Sequence, residues 1–257
     1  MDSKSRQVFT DHLLFTFMIM GASWGLCLIL GINGITKADH AWVNIPNIIG
    51  GLSTTIASFI ALRKTGEVKG FKDWIKHVFD FKHSLWCYLM AVLIPVIHAV
   101  LNCLIGGYEL VQPLYMILPM IPVMIIGGGL EEAGWRYITF PVLDKKFGFV
   151  LSALITGIIW ALWHLPLFFT PGVSQYGQSF LLFSINVMGL SFCLAAIRKV
   201  TNSVWLCVLC HSIVNAIPEA ARYDFCSKKQ VIIAPIVIII SIGCVMISRK
   251  IKLNNDI

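Results

Sequence analysis

An all-α, polytopic membrane helix bundle is the architecture to expect from this chain, for three reasons. Hydrophobic residues make up 57% of the 257 residues, charged residues only 13%, and the mean hydropathy is +0.80. Soluble domains carry roughly 25% charged residues, so half the usual polar cover is missing and water cannot be the main solvent for such a surface. Apolar runs occupy nearly the whole length, which predicts a single membrane domain over residues 1–257. Strands are excluded, because no long series of about ten-residue alternating segments exists to close a barrel.

A helix needs about 20 mostly apolar residues to cross the hydrocarbon layer. Such runs lie near 12–31, 42–62, 84–106, 114–138, 148–168, 178–198, 202–218 and 231–248. About eight spans are therefore expected, with about seven as the fallback. The seventh run is short, and Pro119 and Pro122 are expected to break the fourth. Between the second and third runs, residues 68–81 interleave Phe71, Trp74, Ile75, Val78 and Phe79 with Lys72, Asp73 and Lys76. That pattern predicts an amphipathic helix lying on the inner membrane surface. The first run follows a basic stretch, but it is long enough to span and further spans follow, so a cleavable signal peptide is not expected. Internal repeats, linkers and low-complexity segments are not evident.

Basic residues set the expected orientation. With both termini cytoplasmic, the inner segments hold Lys4, Arg6, Arg63, Lys64, Lys69, Lys72, Lys76, Lys82, Lys145, Lys146, Arg198, Lys199, Arg249, Lys250 and Lys252. The outer loops hold Lys37, Arg222, Lys228 and Lys229. This asymmetry is the positive-inside pattern of a multi-pass cell-membrane protein. It accounts for the net charge of +7 without nucleic acid, since the excess sits where anionic lipid is the natural partner.

The chain has 8 cysteines, and all but Cys226 lie in apolar runs, where they read as small packing residues rather than a disulfide framework. Cys207-Val-Leu-Cys210-His211 matches the haem c attachment spacing. Covalent haem needs an exposed outer segment, whereas this one lies inside an expected span, so haem is not expected.

Charged side chains at bilayer depth cost about 3 kcal/mol or more and usually mark function. The fourth run carries Gly127-Gly-Gly-Leu-Glu131-Glu132-Ala-Gly-Trp-Arg136, the fifth Trp160-Ala-Leu-Trp-His164, and the seventh His211-Ser-Ile-Val-Asn215. Glu132 and Arg136 are i,i+4 on one face and can pair, leaving Glu131, about 100° around the helix, without a local cation. Trp160 with His164, and His211 with Asn215, share faces in the same way. The bland reading of each pair is helix packing, since Asn and His often bridge membrane helices.

Taken together the polar groups say more. The fourth and fifth runs form a hairpin turning near Asp144-Lys-Lys146. Glu131 lies about 15 residues before the turn and His164 about 18 after it, arms of about 22 and 27 Å, so the two reach one level. Pro141 introduces a kink that loosens this match. A buried glutamate beside a histidine can hold and deprotonate a water, and a second histidine with an amide can donate to a developing oxyanion.

Glu131-Glu132-x-x-x-Arg136, Trp160-x-x-x-His164 and His211-x-x-x-Asn215, in that order within apolar helices, resemble the motifs of the CAAX-protease and bacteriocin-processing (Abi) family. The resemblance implies an intramembrane glutamic endopeptidase acting on a membrane-associated or lipidated, CAAX-type protein or a bacteriocin-like peptide. It implies that Glu131 and His164 activate the water, that His211 and Asn215 stabilise the oxyanion, and that Glu132, Arg136 and Trp160 support the site. It further implies metal-free chemistry. Two departures stand out: Trp160 replaces a more usual Phe, a mild change that keeps an aromatic face, and Tyr137 replaces a Gly, narrowing the cavity or repacking beside it.

Rival readings follow from the same residues. His98-Ala-Val-Leu-Asn102 repeats the third spacing ahead of the glutamates; it reads as helix packing, with lining of the same cavity as the other option. Two glutamates and two histidines could hold zinc, although H-E-x-x-H is absent and each histidine comes from a separate helix. A non-catalytic immunity or scaffold protein would keep the fold and bind a peptide or partner. A proton-coupled transporter would use the buried carboxylates, but such proteins commonly show repeated halves, and here only one run is interrupted.

Overall fold

The computed structural model describes residues 2–255, with side chains up to position 250. Lys252, counted among the inner basic residues above, has its side chain outside the described part, and Met1 and positions 256–257 lie outside it altogether. The helices are α1 (Ser3–Ile32), α2 (Asn44–Gly51), α3 (Ser53–Lys64), α4 (Phe71–Val78), α5 (Leu85–Leu101), α6 (Ile117–Ile126), the single turn α7 (Glu132–Gly134), α8 (Phe140–His164), α9 (Phe180–Thr201), α10 (Val204–Ala216) and α11 (Gln230–Asn255). One two-stranded antiparallel ribbon, β1 (Glu109–Leu110) with β2 (Ala221–Arg222), ties two loops together.

Among the described residues, five helical stretches are long and apolar enough to cross a membrane, and six if the bent α2–α3 pair counts as one. One of these, Gly129–Phe169, folds back on itself. Gly148 has φ 73° and ψ 174°, which no helix contains. The indole nitrogen of Trp160 lies 2.8 Å from a carboxylate oxygen of Glu131; a straight helix would hold these residues roughly 44 Å apart. The expected hairpin therefore exists, and its turn is made by glycine. Pro141 sits at the start of α8, where a missing N–H costs nothing.

Loop contacts define two ends of the bundle. At the first, Lys4 pairs with Glu67 at 2.7 Å, Lys64 with Asp11 at 3.0 Å, and Lys199 with Asp144. At the second, Glu109 pairs with Arg222 and Gly172 packs on Thr36. Following the chain from end to end gives the eight passes expected. Several are made by short or bent pieces, α6 with 10 residues and α10 with 13, which explains why length alone counts fewer.

The outward faces carry large apolar side chains, among them Met18, Ile29, Leu93, Ile239 and Met246. Helices apolar all round are what a lipid solvent requires. Caps appear where chain reversals need them. Asn202 takes the left-handed conformation (φ 56°) to end α9, and the Ser203 hydroxyl then accepts from the Leu206 amide at 3.1 Å to start α10.

Two sequence expectations are corrected here. The fourth run is broken at Gly127–Gly128, not at its prolines: α6 continues through Pro122 as far as Ile126. A proline removes one donor, whereas Gly128 adopts φ 156°, a region that ends a helix outright. The surface helix is also shorter than residues 68–81, and its Trp74 and Val78 are buried in the bundle end rather than turned to lipid. Trp74 donates to the Ser58 hydroxyl of α3 at 3.1 Å, so α4 closes that end like a plug.

Polar pins hold the first helices against the motif segment. The His12 ring bonds Thr54 at 3.1 Å through Nε2 and Thr139 at 3.2 Å through Nδ1, the Thr55 hydroxyl donates to the Leu130 carbonyl at 2.8 Å, and Trp163 donates to Ser53 at 2.9 Å. Gly134 makes this approach possible, because a Cβ there would overlap Thr54 Oγ1 and His12 Nε2. Gly134→Ala should therefore lower stability by about 2 kcal/mol, read as a fall in unfolding temperature in detergent. An unchanged midpoint would show that the pinned contact can relax freely.

Candidate active site

The broken backbone between α6 and α8 places the first motif. Gly129–Glu131 form a 3₁₀ turn, α7 one α-turn, and Trp135–Thr139 a π-helical stretch. Tight and wide turns in succession point Glu131 and Glu132 to different neighbours. Wide π-turns inside helices recur at functional sites.

Glu132 faces inward. Its Oε1 accepts from His211 Nδ1 at 2.8 Å, and its Oε2 lies 3.4 Å from Arg136 Nε, an ion contact without hydrogen-bond alignment. Both Glu132 and Arg136 are fully buried. Arg136 Nη2 donates to the Ser191 carbonyl and hydroxyl on α9 at 3.3 and 3.4 Å, and its guanidinium lies 5.3 Å from the Trp160 ring. The expected i,i+4 pair is present. Spacing along one helix could not reveal that Glu132 also holds His211 across the bundle.

Glu131 faces a cavity. Its Oε2 accepts from Trp160 Nε1 at 2.8 Å. Phenylalanine at position 160 would leave that oxygen unbonded, so Trp160 is more than the mild aromatic exchange expected. The Trp160 ring also stands edge-on to His211, with centroids 5.3 Å apart, and lies 5.9 Å from His164.

His164 ends α8, and its Nδ1 lies 2.9 Å from the Trp160 carbonyl. A carbonyl can only accept, so Nδ1 carries the proton and Nε2 is left as an acceptor. For His211 the carboxylate of Glu132 takes Nδ1–H in the same way, leaving Nε2 free. Gly128 lies against this histidine and Asn215: a Cβ there would stand 3.4 Å from His211 Nε2 and overlap Asn215 Nδ2. Asn215 itself reaches the Gly127 carbonyl at 3.5 Å.

Glu131, Trp160, His164, His211 and Asn215 all line one cavity of about 1010 Å³. Glu132 and Arg136 stand behind its wall. Aromatic side chains Trp24, Trp163 and Phe183 complete the inner surface, with the Phe183 ring 5.0 Å from His164. On one flank the lining includes Ile48, Val123 and Ile126, each also exposed on the outside of the bundle. Among the described residues, no three His, Cys, Asp or Glu side chains converge in a metal-binding arrangement.

Tyr137 does not enter this cavity. It packs toward α4, 6.2 Å from the His77 ring, so the departure from Gly repacks the plug helix and leaves the cavity width alone. His98 and Asn102 do not line the cavity either. They form a buried network in which His98 Nε2 meets Asn186 Oδ1 at 3.2 Å and Gln230 donates to Asn102 at 2.6 Å. Asn186, at the near end of that network, does line the cavity, and the sequence reading missed it. The signal was present as the one side-chain amide within α9. Cys207 and Cys210 are fully buried, and the Cys207 thiol donates to the Ser203 carbonyl at 3.3 Å.

Comparison with known proteins adds independent support. Residues 113–217 match a family model described as Type II CAAX prenyl endopeptidase Rce1-like. CAAX prenyl protease 2 of Methanococcus maripaludis is 23% identical over 220 residues, which cover 77% of this chain and 75% of that protein. The matched stretch begins before the glycine break and ends just past Asn215, so it contains every motif side chain that meets at the cavity. In its ordered motifs, in the helical bundle that carries them and in these two matches, the chain is similar to the CAAX-protease and bacteriocin-processing family.

Proposed function

We propose that this protein is an intramembrane endopeptidase that hydrolyses a peptide bond in a membrane-associated or lipidated, CAAX-type substrate. The observation that carries this reading is the meeting of Glu131, His164, His211 and Asn215, from three passes of the bundle, on one cavity. The name of the Methanococcus relative, CAAX prenyl protease 2, supports it. So does the flank of Ile48, Val123 and Ile126, an apolar wall continuous with the lipid-facing surface.

In the proposed mechanism Glu131 and the free Nε2 of His164 hold a water between them and take its proton as the oxygen attacks the scissile carbonyl carbon. The carbonyl oxygen becomes an oxyanion. Asn215 Nδ2 donates to it, as does His211 Nε2 when that ring carries both protons, with Glu132 as the compensating charge. The C–N bond then breaks, and the proton taken from water passes to the leaving amine. Trp160 fixes one Glu131 oxygen by its indole N–H, leaving the other for water. No metal takes part in this scheme.

Glu131→Ala and His164→Ala should each lower turnover by about 10²–10⁴-fold, measured as cleavage of a CAAX-type peptide by purified protein. Undiminished cleavage by either variant would end the proposal. Asn215→Ala should cost about 10²–10³-fold in kcat. Trp160→Phe removes a hydrogen bond to a carboxylate, about 1.5–3 kcal/mol, so kcat should fall by about 10–100-fold. A wild-type rate would reduce Trp160 to a packing residue. Exhaustive chelation should leave cleavage intact, and recovery that requires added zinc would replace this scheme with a metal mechanism.

A further inference from the structure

Helix α9 turns Phe183, Asn186, Val187 and Leu190 to the cavity, the i, i+3, i+4, i+7 spacing of one helix face. Asn186 is the polar member of this otherwise apolar wall, and it is 3% exposed. Phe183 packs 5.0 Å from the His164 ring. Asn186 follows it by three residues, about 4.5 Å along the axis, so its amide borders the reactive part of the cavity.

A chain of hydrogen bonds reaches Asn186 from behind and fixes which way its amide points. Gln230 Nε2 donates to the Asp224 carbonyl at 3.4 Å and to Asn102 Oδ1 at 2.6 Å. With its oxygen so engaged, Asn102 turns Nδ2 to the His98 carbonyl at 2.9 Å. His98 Nε2 then stands 3.2 Å from Asn186 Oδ1. A carboxamide oxygen only accepts, so Nε2 carries the proton. His98 Nδ1, buried without a partner, is the bare nitrogen, and no N–H is stranded. The chain ends at Asn186 with Oδ1 taken. Among the described residues nothing accepts from its Nδ2, which is absent from the fully buried unpaired atoms and so keeps open surface, on the side of the cavity.

Donors left over for a ligand are few in this cavity. Trp24, Trp160 and Trp163 all line it, but their indole N–H groups go to the Asn47 carbonyl at 3.0 Å, to Glu131 and to Ser53 at 2.9 Å. An extended peptide entering here takes its carbonyl oxygens out of water, and each costs free energy unless a donor meets it. Asn215 and His211 serve the carbonyl of the bond being cut. Ligand pockets orient what they bind with a small number of placed polar groups in an apolar lining. We infer that Asn186 is a substrate-binding residue, whose Nδ2 donates to a backbone carbonyl of the peptide next to the bond being cut. This inference rests on the peptidase reading above. His98, Asn102 and Gln230 are positioning residues that hold the amide in that sense. Because the contact is to the main chain, it serves peptides of different sequence alike.

The test compares the full-length protein with Asn186→Leu alone and with Asn186→Leu combined with His98→Leu. The single variant strands the His98 N–H and should lower the unfolding temperature in detergent. The double variant removes both partners and should recover it. In the double variant, KM for a CAAX-type peptide should stay raised by about 2–10-fold with kcat retained. The Kd of the same fluorescent peptide for protein that also carries Glu131→Ala should rise equally. KM and Kd that return to the wild-type values in the double variant overturn the inference and leave Asn186 as a link between α9 and α5. A second arm is a ratio on each protein and does not depend on how well a variant folds. Non-scissile carbonyls of the peptide are replaced one at a time by thiocarbonyls, which are poorer acceptors. At one position the replacement should raise KM in the wild type and leave KM of the double variant unchanged; equal effects in both proteins at every position overturn the inference. A peptide neither bound nor cut by the wild type removes the peptidase reading and this inference with it, whereas binding and cleavage that the double variant matches remove this inference alone.

Discussion

A carboxylate with no path to water sits at the centre of this bundle, and the rest of the site is arranged around it. Glu132 lies in an interior where an unpaired charge would cost several kcal/mol. It is tolerated because His211 donates to one of its oxygens at 2.8 Å and Arg136 approaches the other at 3.4 Å. Arg136 in turn needs Ser191 and the face of Trp160. One buried charge thereby ties the motif turn α7 to α8, α9 and α10. Removing any partner leaves another stranded, a penalty of about 3–5 kcal/mol for a buried pair.

This tie explains why two adjacent glutamates act so differently. Successive residues on a helix diverge by about 100°, and the change from 3₁₀ to α to π turns between Gly129 and Thr139 controls where each points. Glu132 is spent on structure, while Glu131 keeps one oxygen on Trp160 and faces the cavity. Non-helical backbone at membrane depth is tolerated only where protein or a cavity satisfies its polar groups. Here the irregular stretch Gly127–Glu131 lines the cavity or is held by Thr55 and Asn215.

The proton positions follow from the same packing. His164 and His211 each commit Nδ1 to an acceptor, a carbonyl for one and a carboxylate for the other. Each then offers Nε2 to the chemistry, with different electrostatic company: His164 stands among aromatic rings, whereas His211 is backed by Glu132. In the proposed mechanism these settings give the two rings two roles: His164 Nε2 accepts the water proton, and His211, when it carries both protons, donates to the oxyanion.

Much of this was legible in the residues alone, because each legible feature is local. Apolar run length and charge asymmetry depend only on composition along the chain, and they yielded the helical bundle and its eight passes. The i,i+4 pairs Glu132–Arg136 and Trp160–His164 follow from helix pitch, and the hairpin followed from arm lengths around Asp144–Lys146. The features that escaped are contacts between segments far apart in sequence. The bond from Trp160 to Glu131 spans 29 positions and that from His211 to Glu132 spans 79; neither leaves a periodic trace. The break at Gly128, the retreat of Tyr137 toward α4 and the entry of Asn186 into the cavity wall likewise depend on what packs opposite. Side-chain chemistry says which groups can react, but a shared cavity exists only once the passes have packed against one another.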